Sequence, residues 1–151
     1  MIRNALFRLP AKVDYAALPW VTYTDPELAQ VGQTEPAARR QYGDAIAVAR
    51  FRLADNDRAQ AERATEGLIK VIARPNGRIL GASILGAHAG ELIHLWGLAI
   101  SQGLKLKHVA GMIAPYPTLG EIGKSAASEF YKPKLFSPWT RRVVGLLNRL
   151  P

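Results

Sequence analysis

The chain has no cysteine among its 151 residues. That excludes disulfides, zinc–thiolate sites and dithiol redox chemistry within it, and it suits a reducing compartment. No apolar run approaches the ~20 residues that a membrane-spanning helix needs. The start, Met1-Ile2-Arg3-Asn4, leads into no signal-peptide core. The expectation is a soluble, cytoplasmic protein. Cofactor and metal signatures are missing too. Gly81, Gly86 and Gly90 are spaced five and four apart, and neither G-x-G-x-x-G nor the Walker lysine motif occurs, so no nucleotide cofactor is cradled by this chain alone. His88, His94 and His108 lack the i, i+4 spacing of a helical metal pair, and no metal site is expected. There is no internal repeat and no low-complexity stretch.

What is present fits one globular domain. Apolar residues make up 48% of the chain, enough for a real core, and charged residues an ordinary 21%. The formal charge of +8 invites a nucleic-acid or anionic-membrane hypothesis. Its distribution tempers that idea. After Glu129 come Lys132, Lys134, Arg141, Arg142 and Arg149 and no acid, which is five of the eight charges. The excess is mostly a property of the tail, and no known nucleic-acid motif accompanies it. The Arg141–Leu147 stretch reads as a short amphipathic helix. On an anionic membrane it would gain around 1 kcal/mol per basic residue, so a solvated or subunit-wrapping extension is the expected reading.

Trp20-Val21-Thr22-Tyr23-Thr24 reads as a strand, and Asp25-Pro26 turns the chain. A helix runs from a Thr34 start, with Pro36 close behind, to a Gly43 stop. Ala45–Leu53 alternates as a strand, with a bulge near Arg50 where the alternation slips. Asp55–Glu66 is polar and reads as a loop with a helical turn. Leu68–Ala73 and Ile79–Leu85 are strands joined by Pro75-Asn76-Gly77, a hairpin signal. From Ala89 the spacing turns helical as far as Gly103, followed by short helices at 107–113 and 118–131. Strands first and helices after predict an α+β fold, an antiparallel β-sheet with helices packed on one face. The apolar Ala89–Gly103 helix either fills the core or offers one face to an oligomer.

Tyr116-Pro117-Thr118-Leu119-Gly120-Glu121 admits two readings. Thr118 and Glu121 have the spacing of a capping box, each side chain satisfying the other's backbone N–H. Alternatively Tyr116 faces a shared cavity, where its phenol hydrogen-bonds a substrate or acts as a weak acid with a pKa near ~10. An aromatic residue before Pro117 also favours a cis bond there.

Taken in order, several segments resemble the C-terminal dimerisation domain of the pyridine-nucleotide-disulfide oxidoreductases, a family that includes dihydrolipoamide dehydrogenase, glutathione reductase and mercuric reductase. They are Val21–Gly32, Asn56-Asp57-Arg58-Ala59, Gly67–Val71, Ile79–Ala82, Gly86, Ala89–Ile93 and Pro117–Glu121. The resemblance covers roughly residues 18–132. It divides the chain into a linker or arm at 1–19, an interface domain at 20–132 and a basic tail at 133–151.

The resemblance implies a homodimer whose FAD and NAD(P)H lie in N-terminal domains that this chain does not include. It implies an interface domain that helps build the partner's substrate cleft, with Pro117 and Thr118 near the partner flavin. A truncated piece of a longer enzyme, inactive by itself, is the expectation. Many members carry a histidine just before the Pro-Thr and a glutamate five positions later, as acid/base and its orienting partner. Here Tyr116 stands at the histidine position and Glu121 is retained, so these two are the candidate catalytic residues. The change points away from lipoamide or glutathione disulfide reduction and toward branches without the histidine, mercuric reductase among them. The alternative is a free-standing basic binding protein, for nucleic acid or an anionic surface, without catalysis.

Overall fold

The computed structural model describes residues 2–8 and 15–147. Part of the expected arm and the end of the tail, including Arg149, lie outside these residues. After a first helix, α1 (Ile2–Phe7), come strands β1 (Pro19–Thr22), β2 (Glu27–Gly32), β3 (Ala47–Arg52), β4 (Leu68–Ala73) and β5 (Ile79–Gly86). They form one antiparallel sheet in the order β1-β2-β5-β4-β3. Helix α2 (Glu35–Tyr42) lies between β2 and β3 in the chain, and α3 (Asp57–Glu62) between β3 and β4. The rest follow β5: α4 (Ala89–Leu92), α5 (His94–Ser101), α6 (Leu106–Ala110), α7 (Glu121–Glu129), α8 (Lys132–Leu135) and α9 (Pro138–Leu147). This is the α+β architecture that the residue pattern predicts. No described helix is long and apolar enough to cross a membrane.

The main core lies between the sheet and the helices that follow it. Ala29, Val31, Ile69, Val71, Ala82 and Ile84 meet Ile93, Trp96, Leu106, Val109, Ile122 and Ala126, all of them buried. Burying a side chain of this size stabilises the fold by about 1.5–3 kcal/mol. One helix departs from the one-sided expectation. Ala38 of α2 packs on Ile72 and Leu80, with Tyr42 and Ile46 beside them, in a second small cluster. Helix α2 itself carries the start and stop signals that its sequence shows. The Thr34 side chain accepts from the Ala37 N–H, and Gly43 closes the helix at φ 57°.

The expected bulge near Arg50 is not there. β3 pairs with β4 in unbroken register, with Arg50 opposite Lys70. The shift falls instead between Ile72 and Ala73, against β5. The core explains it. Ile79 and Ala82 both enter the main core although they are three apart, while Leu80 joins the second cluster. Strict alternation forbids that combination, and one extra residue permits it. The hairpin turn is where Asn76-Gly77 places it. The Gly77 N–H donates to the Arg74 carbonyl at 2.8 Å, with Gly77 at φ 82°.

Strand β2 carries no strand signal beyond Val31, yet it pairs on both sides, with β1 and β5. It also anchors the helical layer, because Glu27 Oε2 accepts from the Gly90 N–H at 2.8 Å. Position 81 needs glycine because a Cβ there would come within 2.1 Å of the Gln33 carbonyl oxygen. The expected helix from Ala89 to Gly103 is two pieces, interrupted at Ile93. Its Ile93, Trp96 and Ala99 are buried in the core, while Leu98 is 58% exposed.

Candidate active-site turn

Chain segments remote in sequence meet at residues 56–57 and 115–121. The first follows the 3-10 turn Leu53–Asp55, where the Asn56 side chain caps α3 by accepting from the Ala59 N–H at 2.9 Å. Asn56 is a polar residue in the core, 4% exposed, so its amide needs partners on both ends. It finds the second at Thr118, whose carbonyl accepts from Asn56 Nδ2 at 3.1 Å. One residue on, Asp57 Oδ2 accepts from the Tyr116 hydroxyl at 2.8 Å. Two adjacent side chains thus hold the Tyr116-Pro117-Thr118 turn at two points. The Tyr116–Pro117 bond is cis.

The capping box at this turn is half formed. Glu121 Oε2 accepts from the Thr118 N–H at 3.3 Å. The Thr118 hydroxyl does not return the bond and donates to the Pro115 carbonyl at 2.8 Å. Helix α7 begins at Glu121, with Gly120 as its cap. The physical reason is the tight turn before it, which holds the Thr118 hydroxyl against Pro115 and away from the first helical N–H.

Tyr116 is 71% exposed. Its hydrogen bond to Asp57, then the Asp57 charge, followed by partial desolvation and the Glu121 charge, hold its pKa above the ordinary tyrosine value. Asp57 thus favours the neutral, hydrogen-bond-donating form of the phenol. Beside the turn is an apolar cleft of about 440 Å³, bounded by Leu92, Leu95, Trp96, Met112, Ile113 and Thr118 among others. Ile113 stands at its rim, 98% exposed.

At Pro117 and Thr118 the donors are engaged or absent. Thr118 N–H and Oγ–H are bonded to Glu121 and Pro115, and Pro115 and Pro117 have no N–H to offer. These residues do not fit as hydrogen-bonding holders of a flavin. Among the described residues there is no group of three or more His, Asp or Glu side chains that could hold a metal. His94 Nδ1 lies 3.0 Å from the Glu91 carbonyl, and His108 Nδ1 accepts from the Lys105 N–H.

Tyr116, Pro117, Thr118 and Glu121 are thus brought together as one exposed turn. Asn56 and Asp57 complete it, and they were not among the candidate residues. Asn56 carries a cap signal readable in the sequence, Asn before Asp-Arg-Ala. The Asp57–Tyr116 contact joins residues 59 apart and has no local signal.

The domain is thus an antiparallel sheet backed by helices, with an exposed turn beside an apolar cleft. The pattern of the pyridine nucleotide-disulphide oxidoreductase dimerisation domain matches residues 18–127, and the chain belongs to that family as a dimerisation domain. It is 44% identical over 119 residues to dihydrolipoyl dehydrogenase of Geobacillus stearothermophilus, covering 78% of this chain and 25% of that protein. It is 42% identical, also over 119 residues, to the Bacillus subtilis enzyme, with the same coverage.

Among solved structures, the HOCl-induced flavoprotein disulfide reductase RclA of Escherichia coli superposes with a TM-score of 0.74 at 27% identity, over 84% of this chain and 30% of that one. LpdA of Mycobacterium tuberculosis, at 23% identity, shares the fold with a TM-score of 0.77, over 84% of this chain and 28% of that one. The chain spans about a quarter of the length of the curated relatives it matches. Those relatives are dihydrolipoyl dehydrogenases, the branch from which Tyr116 points away.

Proposed function

We propose that this domain, residues 20–132, pairs two copies of its subunit and completes the partner's disulfide-substrate cleft with the Tyr116–Glu121 turn. The flanking segments, 1–19 and 133–151, serve as arm and tail. FAD and NAD(P)H belong to other domains of a cytoplasmic oxidoreductase, and this chain by itself is inactive. The observation that carries the proposal is the doubly braced turn. Tyr116 is exposed, yet fixed by Asp57 and by the Asn56–Thr118 bond. A rigid exposed turn beside an apolar cleft is a preorganised surface for a partner.

In this reading Tyr116 takes the place of the family's acid/base histidine but works as a fixed neutral donor and a wall of the cleft. Glu121 keeps the turn closed and does not relay a proton. Pro117 and Thr118 border the partner's flavin by packing, since their donors are engaged or absent. The test is the pH–rate profile of the full enzyme. Tyr116→Phe leaves the neutral-range profile unchanged, and Tyr116→His introduces an ionisation near the histidine value of ~6.5. A profile unaltered by Tyr116→His contradicts the placement of this residue in the cleft.

A further inference from the structure

Helices α8 and α9 lie beyond the residues at which the family pattern ends, 18–127, and take no part in the Tyr116–Glu121 turn. Helix α9 has a defined start. Ser137 Oγ accepts from the Thr140 N–H at 3.2 Å, and Pro138 follows the cap.

The surface of this segment is unusual in two ways at once. Leu135, Phe136, Trp139 and Val144 are between 48% and 73% exposed. The charges are of one sign: after Glu129 the chain has no acid. Lys132 is paired with Glu129, and Lys134 lies over the Phe130 ring at 5.7 Å. Arg141 and Arg142 are exposed and have no ion-pair partner among the described residues.

Exposed indole, phenyl and aliphatic groups on a short basic segment, α8 to α9, complement one kind of surface. Tryptophan favours the headgroup level of a bilayer, and arginine the lipid phosphates. A nucleic acid would engage the arginines and leave Leu135 and Val144 in water. We propose that α8 and α9 dock on an anionic lipid bilayer and hold the domain peripherally at its surface. Each basic residue near such a surface is worth about fivefold in partitioning, so two free arginines give a weak, reversible, salt-sensitive attachment.

The experiment is co-sedimentation of the full chain with phosphatidylcholine vesicles, with and without phosphatidylglycerol. The wild type pellets with the anionic vesicles only and is released by salt. Arg141→Glu with Arg142→Glu lowers partitioning at least ~25-fold. Trp139→Ala lowers it severalfold while leaving heparin binding unchanged. Thermal melting at the wild-type temperature shows that both variants remain folded. Failure to pellet with anionic vesicles overturns the proposal. So does equal pelleting with neutral vesicles, or wild-type vesicle binding by Trp139→Ala, which would leave only a basic patch for any polyanion.

Discussion

The hydroxyl of Tyr116 donates to Asp57 across 2.8 Å, joining the turn before α7 to the first turn of α3. That bond is the main cause of the phenol's raised pKa. With Asp57→Ala both the hydrogen bond and the charge that raise the pKa disappear, and Tyr116 titrates closer to the ordinary tyrosine value. Ultraviolet titration of phenolate absorbance, with Tyr116→Phe as the subtraction control, measures the shift. The sign for stability follows. A folded-state pKa above the unfolded one favours the neutral phenol, so this contribution is present below the ordinary tyrosine range and is lost as pH climbs above it. Near neutrality the contribution is fully present and stability does not vary with pH on its account.

Asn56 is the structural half of the same brace. Asn56→Ala removes the cap of α3 and leaves the Thr118 carbonyl without its donor. Capping is worth ~1 kcal/mol and an orphaned buried group ~1–3 kcal/mol, so the loss is roughly 2–4 kcal/mol. A melting temperature lower by roughly ten degrees is expected, measurable by circular dichroism. Asn56→Asp keeps the cap acceptor but not the donor, and falls between the two.

Glu121→Gln tests the role of the retained carboxylate. Glutamine can still accept from the Thr118 N–H, so stability changes by less than about 0.5 kcal/mol. A large fall in melting temperature would show that the charge itself is needed at this turn.

Glu35 gives an acid-side prediction. Burial pushes its carboxyl up, but the Arg39 hydrogen bond and the charges of Arg50, Lys70 and Arg39 outweigh it, and the pKa is lowered. A depressed carboxylate contributes stability above its unfolded pKa and loses it as pH falls through the folded one. The stability gap between wild type and Glu35→Gln is therefore widest near neutrality and closes in acid, below the ordinary carboxylate range.

The hairpin, α2 and the α+β order were legible because their signals are local: Asn-Gly, a threonine cap, alternation giving way to helical spacing. Strand β2 was hidden because Glu-Leu-Ala-Gln-Val-Gly has little intrinsic strand preference. Its conformation comes from pairing on both edges. The misplaced bulge has the same origin, since it answers to which core Ile79, Leu80 and Ala82 enter. At the site, Tyr116 and Glu121 stood out through the family pattern. Asp57 did not, because a contact across 59 residues is set by the packing of α3 and α7 on the sheet.

The most direct test of the account is the solution mass of this chain by sedimentation equilibrium across a concentration series. A reversible dimer is expected, approaching twice 16.5 kDa and dissociating on dilution. A single 16.5 kDa species at every concentration, up to the solubility limit, would contradict the claim that this domain pairs its subunits.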